Sequence, residues 1–86
     1  TEMFSFINTE TVEANGVDEI IISNLYNKTL VIVKELINNV YVYFEQYEVT
    51  DGAFEISFDE EGSYKIILSS VPFLNKEYIV TATQVL

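Results

Sequence analysis

The side chains best equipped for chemistry in this chain are carboxylates that sit close together in sequence. Glu45 with Glu48, and Glu55 with Asp59, are the nearest pairs. Two carboxyl groups flanking one bond divide acid and base work in glycosidases. Such a pair needs a cleft, and a domain of 86 residues has little room for one. The rest of the catalytic inventory is thinner. Histidine and cysteine are both absent, which removes the side chain that titrates near neutrality and the strongest common nucleophile. Serines stand at Ser5, Ser23, Ser57, Ser63, Ser69 and Ser70, and none lies in a G-x-S-x-G elbow. Asp51, Asp59, Glu60 and Glu61 are hard oxygen donors of the kind calcium takes. They lack the D-x-D-x-D-G spacing, and acidic residues at β-turns ordinarily serve turn geometry and solvation. The expectation is therefore no enzyme, no cofactor and no metal site.

Charge narrows the partners. Fourteen carboxylates face four lysines, for a net charge of −10. That surface repels phosphate backbones and anionic lipid, and no basic patch interleaved with aromatics is present. Direct nucleic-acid binding is not expected, whereas a basic protein partner is compatible. No apolar run approaches the ~20 residues of a membrane helix, and no signal peptide is visible at the start. Thr1 reads equally as the residue left after methionine removal, as a cut end of a longer chain, or as a signal-protease product. The sequon Asn27-Lys28-Thr29 is a triplet common by chance.

The elements that position these residues read as strands. Phe54, Ile56 and Phe58 alternate with polar neighbours, and Tyr64, Ile66 and Leu68 recur with the same period after the turn Asp59-Glu60-Glu61-Gly62. Side chains alternate across a strand with period two, so each segment has one buried and one wetter face. Met3–Ile7 reads as a first short strand, with Glu10–Ala14 as a second piece of it. Asn15-Gly16 marks a tight turn, and Val17–Leu25 follows as a strand. Thr29–Leu36 is β-branched and extended, Asn38-Asn39 reads as a turn, and Val40–Val49 is the longest strand. Val71–Lys76 reads as a loop around Pro72, and Glu77–Val85 as the last strand. One domain over residues 1–86 is expected, all-β, an antiparallel two-sheet sandwich of about seven strands.

Glu60, Gly62, Tyr64 and Ile66, each two apart, resemble the tyrosine-corner pattern of immunoglobulin-like sandwiches. The resemblance implies that glycine permits the turn and that the Tyr64 hydroxyl returns a hydrogen bond to its backbone. It also implies that the strand from Ser63 is the sixth of the sandwich. The same edge is similar to Ig-like modules that decorate bacterial surfaces and phage particles. The disulfide and core tryptophan of antibody domains are absent.

Strand 40–49 carries the remaining signal. Val40, Val42 and Phe44 fall on one face by simple alternation, and Tyr41, Tyr43 and Tyr47 on the other with Glu45. Tyrosine supplies rigid apolar area with one polar tip, so an exposed stripe of three suits a protein interface. If instead the stripe covers its own sheet, the tyrosines are structural. The terminal segments Met3–Ile7 and Tyr78–Val80 invite strand addition if they lie at an edge, or pair within the sandwich. Together these features lead to the expectation of a non-enzymatic protein-binding module. Its most concrete form is an accessory or decoration subunit of a bacteriophage capsid, located in the virion and bound to other virion proteins. The alternatives are an acidic inhibitor that mimics nucleic-acid charge, and a stalk or adhesion domain of a larger surface protein.

Overall fold

The computed structural model describes residues 5–26, 28–70 and 75–85. Asn27 of the sequon, the Val71–Leu74 part of the proline loop and the start of the first strand lie outside them. Eight strands run in chain order: β1 (Phe6–Ile7), β2 (Thr11–Glu13), β3 (Ile20–Ser23), β4 (Thr29–Ile37), β5 (Val40–Val49), β6 (Phe54–Ile56), β7 (Gly62–Ser69) and β8 (Lys76–Thr83). They form a three-stranded sheet in the order β1-β3-β6 and a five-stranded sheet in the order β2-β8-β7-β4-β5. This is a two-sheet β-sandwich: the first strand is split between the two sheets, and β7 is the sixth strand when its two pieces are counted as one. One pair departs from the antiparallel expectation, because β2 runs parallel to β8. The first segment crosses from one sheet to the other, which brings its second piece alongside the last strand in the same direction.

The alternating segments bury the faces their spacing predicts. Phe54, Ile56 and Phe58 point inward from one sheet, and Tyr64, Ile66 and Leu68 from the other, all 7% exposed or less. They are not two arms of a hairpin: β6 and β7 belong to different sheets, and the chain between them crosses the sandwich. Ile20 and Ile22 of β3, Val31 and Val33 of β4, and Val80 of β8 are fully buried and complete a single core. Removing this apolar area from water is the main favourable contribution to folding. The buried Thr29 hydroxyl donates to the Tyr26 carbonyl at 2.7 Å, so its polar atom is satisfied.

Two turns had different outcomes. Asn38 and Asn39 both adopt positive φ, 51° and 66°, and join β4 to β5 as a two-residue hairpin. Asn15-Gly16 is a tight turn, as expected, but it joins strands of different sheets. The Asn15 side-chain oxygen accepts from the backbone N–H groups of Val17 and Asp18, each at 2.8 Å, and bends the chain between sheets. The expected strand Val17–Leu25 accordingly shortens to Ile20–Ser23, and Val17 is left 77% exposed. Gly16 has φ +73°, donates to the Phe58 carbonyl at 2.9 Å, and would place a Cβ 2.5 Å from Asp59 Oδ1. Gly16→Ala therefore loses about 1–2 kcal/mol from backbone conformation alone, with the Asp59 collision added. A lowered urea midpoint checks this, and an unchanged midpoint refutes it.

Candidate functional site

Of the terminal strands, β1 pairs with β3 at an edge of the smaller sheet, and β8 lies between β2 and β7. The larger sheet ends in the three-residue β2 on one side and the ten-residue β5 on the other, and β5 pairs only with β4. Of its ten residues only Val49 is buried. The cause is the unequal size of the two sheets. Five strands face three, so most of the inner side of β5 is left open, with Tyr47 meeting a β6 ring, that of Phe54.

The β4–β5 register corrects the expected tyrosine stripe. Lys34 pairs with Tyr43 but Val33 pairs with Glu45, which leaves Phe44 as an extra residue, a β-bulge. Directly opposed residues share a face. Tyr41 and Tyr43 oppose Leu36 and Lys34 on the outer face, whereas Tyr47 opposes the buried Val31 and so faces inward. Glu45, opposite Val33, faces inward too. Three tyrosines on one side become two outside and one inside. One extra residue shifts the phase of every side chain beyond it.

The two sides differ in chemistry. Outside, the Lys65 ammonium sits 4.6 Å from the centre of the Tyr41 ring, and the Tyr41 hydroxyl lies 3.4 Å from Ser63 Oγ. Lys65 also reaches Glu77 at 4.0 Å, the one ion pair among the described residues. Tyr41 is thus held by its own sheet, while Tyr43 stands 66% exposed. Inside, a groove of about 310 Å³ opens between β5 and the β6–β7 connection. Phe44, Tyr47, Ile56, Phe58 and Tyr64 supply its apolar surface, and Glu45, Asp59 and Glu60 its charge.

The groove is built on the tyrosine corner. The Tyr64 hydroxyl donates to the Glu60 carbonyl at 2.9 Å, the bond the resemblance implies. The Tyr64 ring stacks on Phe58 with centroids 4.0 Å apart and meets Phe44 edge-on at 5.7 Å. Tyr47 packs against Phe54 at 5.2 Å. Burial first, then the nearby carboxylates of Glu35, Glu60 and Asp59, push the Tyr64 phenol above its ordinary value. The connection is tied down at its start by the Gly16-to-Phe58 backbone bond. Gly62, where the corner turns into β7, has φ +155°, which suits glycine.

Neither carboxylate pair singled out for acid–base work comes together. Glu45 faces inward, while Glu48 opposes Leu30 on the outer face. Glu55 points outward between the buried Phe54 and Ile56, while Asp59 lines the groove. Among the described residues no three histidine, cysteine or acidic side chains gather to hold a metal ion. Asp51 is engaged locally, its carboxylate 3.4 Å from the Ala53 N–H. No described helix is long and apolar enough to cross a membrane.

Simple alternation missed the groove, and one signal in the sequence marks it. Apolar residues occupy even positions at Val40, Val42 and Phe44, yet Val49 is odd. A strand whose apolar parity changes midway needs a bulge to keep one face toward the core. No protein-family model matches the chain, and no curated protein matches it.

Proposed function

We propose that this chain is a non-enzymatic protein-binding module that attaches to its partner through β5. The observation that carries this reading is the exposure of most of a long edge strand rich in apolar and aromatic side chains. Val40 is 58% exposed, Tyr43 66% and Phe44 40%, with Val42, Tyr47 and Ile37 beside them. Long, apolar, unpaired edges template the pairing of another chain, and natural sheets shorten, charge, bulge or cover them; β5 carries the bulge at Phe44 and the inward Glu45, yet its apolar side chains stay exposed on both sides of the bulge. An edge left open in this way fits strand addition, in which main-chain bonds supply affinity and alternate side chains supply specificity.

The setting we infer is an accessory subunit on a large protein shell, of which a bacteriophage capsid is the concrete case. There the module would add buried area and stabilise the assembled state by mass action, without chemistry. The strong negative charge supports a partner with a basic surface. Sedimentation of the native protein from its source through a density gradient, with mass spectrometry of each fraction, tests this. Migration with large particles that survives high salt is the expected result. Migration with a small basic enzyme that ends in salt overturns it in favour of the charge-mimic inhibitor.

A further inference from the structure

We propose that the groove inside β5 is the specificity pocket of the docked strand, and that it takes an arginine side chain. The inference rests on reading β5 as the docking edge and names what the partner must present there. A strand laid against β5 would alternate its side chains between the outer and inner faces. The inward ones would enter the gap that the three-stranded sheet leaves uncovered.

Size and lining select the occupant. At about 310 Å³ the groove lies at the bottom of the range for small-ligand sites, so it suits one long side chain better than a whole metabolite. Its apolar surface is mostly aromatic: the exposed rings of Phe44 and Tyr47 form its wall, and the buried, mutually stacked Phe58 and Tyr64 close its floor. Ring faces attract a cation, and a guanidinium stacks on them as an ammonium does not. Glu45, Asp59 and Glu60 line the same opening, and no lysine does. Lys34 and Lys65 pair with each other on the opposite face of the sheet. Burial chiefly raises the Tyr64 phenol, and the groove carboxylates Glu60 and Asp59 add to it after Glu35. An aromatic wall with a carboxylate rim is complementary to arginine, which can stack and ion-pair at once.

Charge also disfavours a second copy of this chain as the occupant. Joining two β5 edges would bring another net charge of −10 to an interface that already holds Glu45 and Glu48. Like charges placed together across an interface cost several kcal/mol.

The test uses the intact domain and two end-capped peptides, Thr-Val-Thr-Val-Arg-Val-Thr-Val and the same peptide with norleucine in place of arginine. Binding is followed by NMR on the aromatic rings and the β5 amides. The arginine peptide is expected to bind at least tenfold more tightly, to shift the Phe44, Tyr47 and Tyr64 rings, and to lose its advantage as salt rises. In the Glu45→Gln/Asp59→Asn/Glu60→Gln variant the two peptides should become equal. All three side chains are exposed, so the fold survives the change. Equal binding of both peptides to the unaltered domain overturns the pocket and leaves the β5 edge standing. Arginine-dependent shifts confined to other surfaces also overturn the pocket. If neither peptide perturbs β5, both the pocket and the edge reading fall.

Discussion

Tyr64→Ala unfolds this domain, or leaves it folded only marginally. The ring is 1% exposed, stacked on Phe58 and touched edge-on by Phe44. Truncating a buried aromatic to alanine costs about 3–5 kcal/mol, against a total of about 5–15 kcal/mol for a typical domain. Tyr64→Phe separates the ring from its hydroxyl. It keeps the packing and deletes only the bond to the Glu60 carbonyl, at a cost of about 1 kcal/mol. Its second effect is on the alkaline limb. The phenol is held above its ordinary value of 10.0 by burial and by Glu35, Glu60 and Asp59. In the unfolded chain the same phenol ionises first as pH rises. The contribution is therefore fully present below the unfolded value and is lost as pH climbs through the folded one. Denaturant unfolding followed by circular dichroism from neutral to strongly alkaline pH should show Tyr64→Phe losing less stability across that window than the unaltered protein. An identical alkaline loss in both proteins would remove Tyr64 as its source.

The fold was legible where local chemistry and global position agree. Glu60, Gly62 and Tyr64 specify a corner whose turn, ring and hydroxyl lie within a few residues of one another, so spacing alone is enough to find it. The alternation from Phe54 to Leu68 identifies inward faces for the same reason, since the pleat imposes period two. It does not say which sheet a strand joins, and these two segments, separated by one short turn, lie in opposite sheets. Asn15-Gly16 reads as a tight turn because Asn-Gly favours positive φ, and a turn it is. Here the Asn15 side chain caps the following N–H groups instead, and only Gly16 uses the left-handed region. The candidate site was half legible. Its strand and its tyrosines were visible, but the bulge at Phe44 carries no glycine or proline to announce it. Tyr47 was consequently placed on the wrong face. The parity change hints at the bulge, but the groove needs two further facts that only the assembled sandwich supplies: unequal sheets and a connection pinned to Gly16.

Tyr43→Pro should abolish partner binding through β5 while leaving the domain folded. Asn38-Asn39 is a two-residue turn, so Ile37 and Val40 close it as a hydrogen-bonded pair. Bonded and non-bonded pairs then alternate along an antiparallel ladder. Counting from Val40, the backbone groups of Val42 turn toward β4 and those of Tyr41 and Tyr43 turn toward the open edge. Proline at position 43 thus removes an N–H that β4 does not use, and proline is tolerated on edges in that orientation. The side chain lost with it is 66% exposed and contributes little to the core. For an incoming strand the change is severe, because the ring removes a donor and fills the space where the new backbone must lie. Binding should weaken at least tenfold, about 1.4 kcal/mol, with circular dichroism unchanged. Tyr43→Thr is the companion, since it removes the ring but keeps the N–H and the strand preference. Strand addition predicts that Thr retains most of the binding and Pro retains none. Equal loss in both variants would assign the contact to the tyrosine ring. Full binding in the folded Tyr43→Pro protein would exclude β5 as the docking edge, and the groove beside it would then need another route for its occupant.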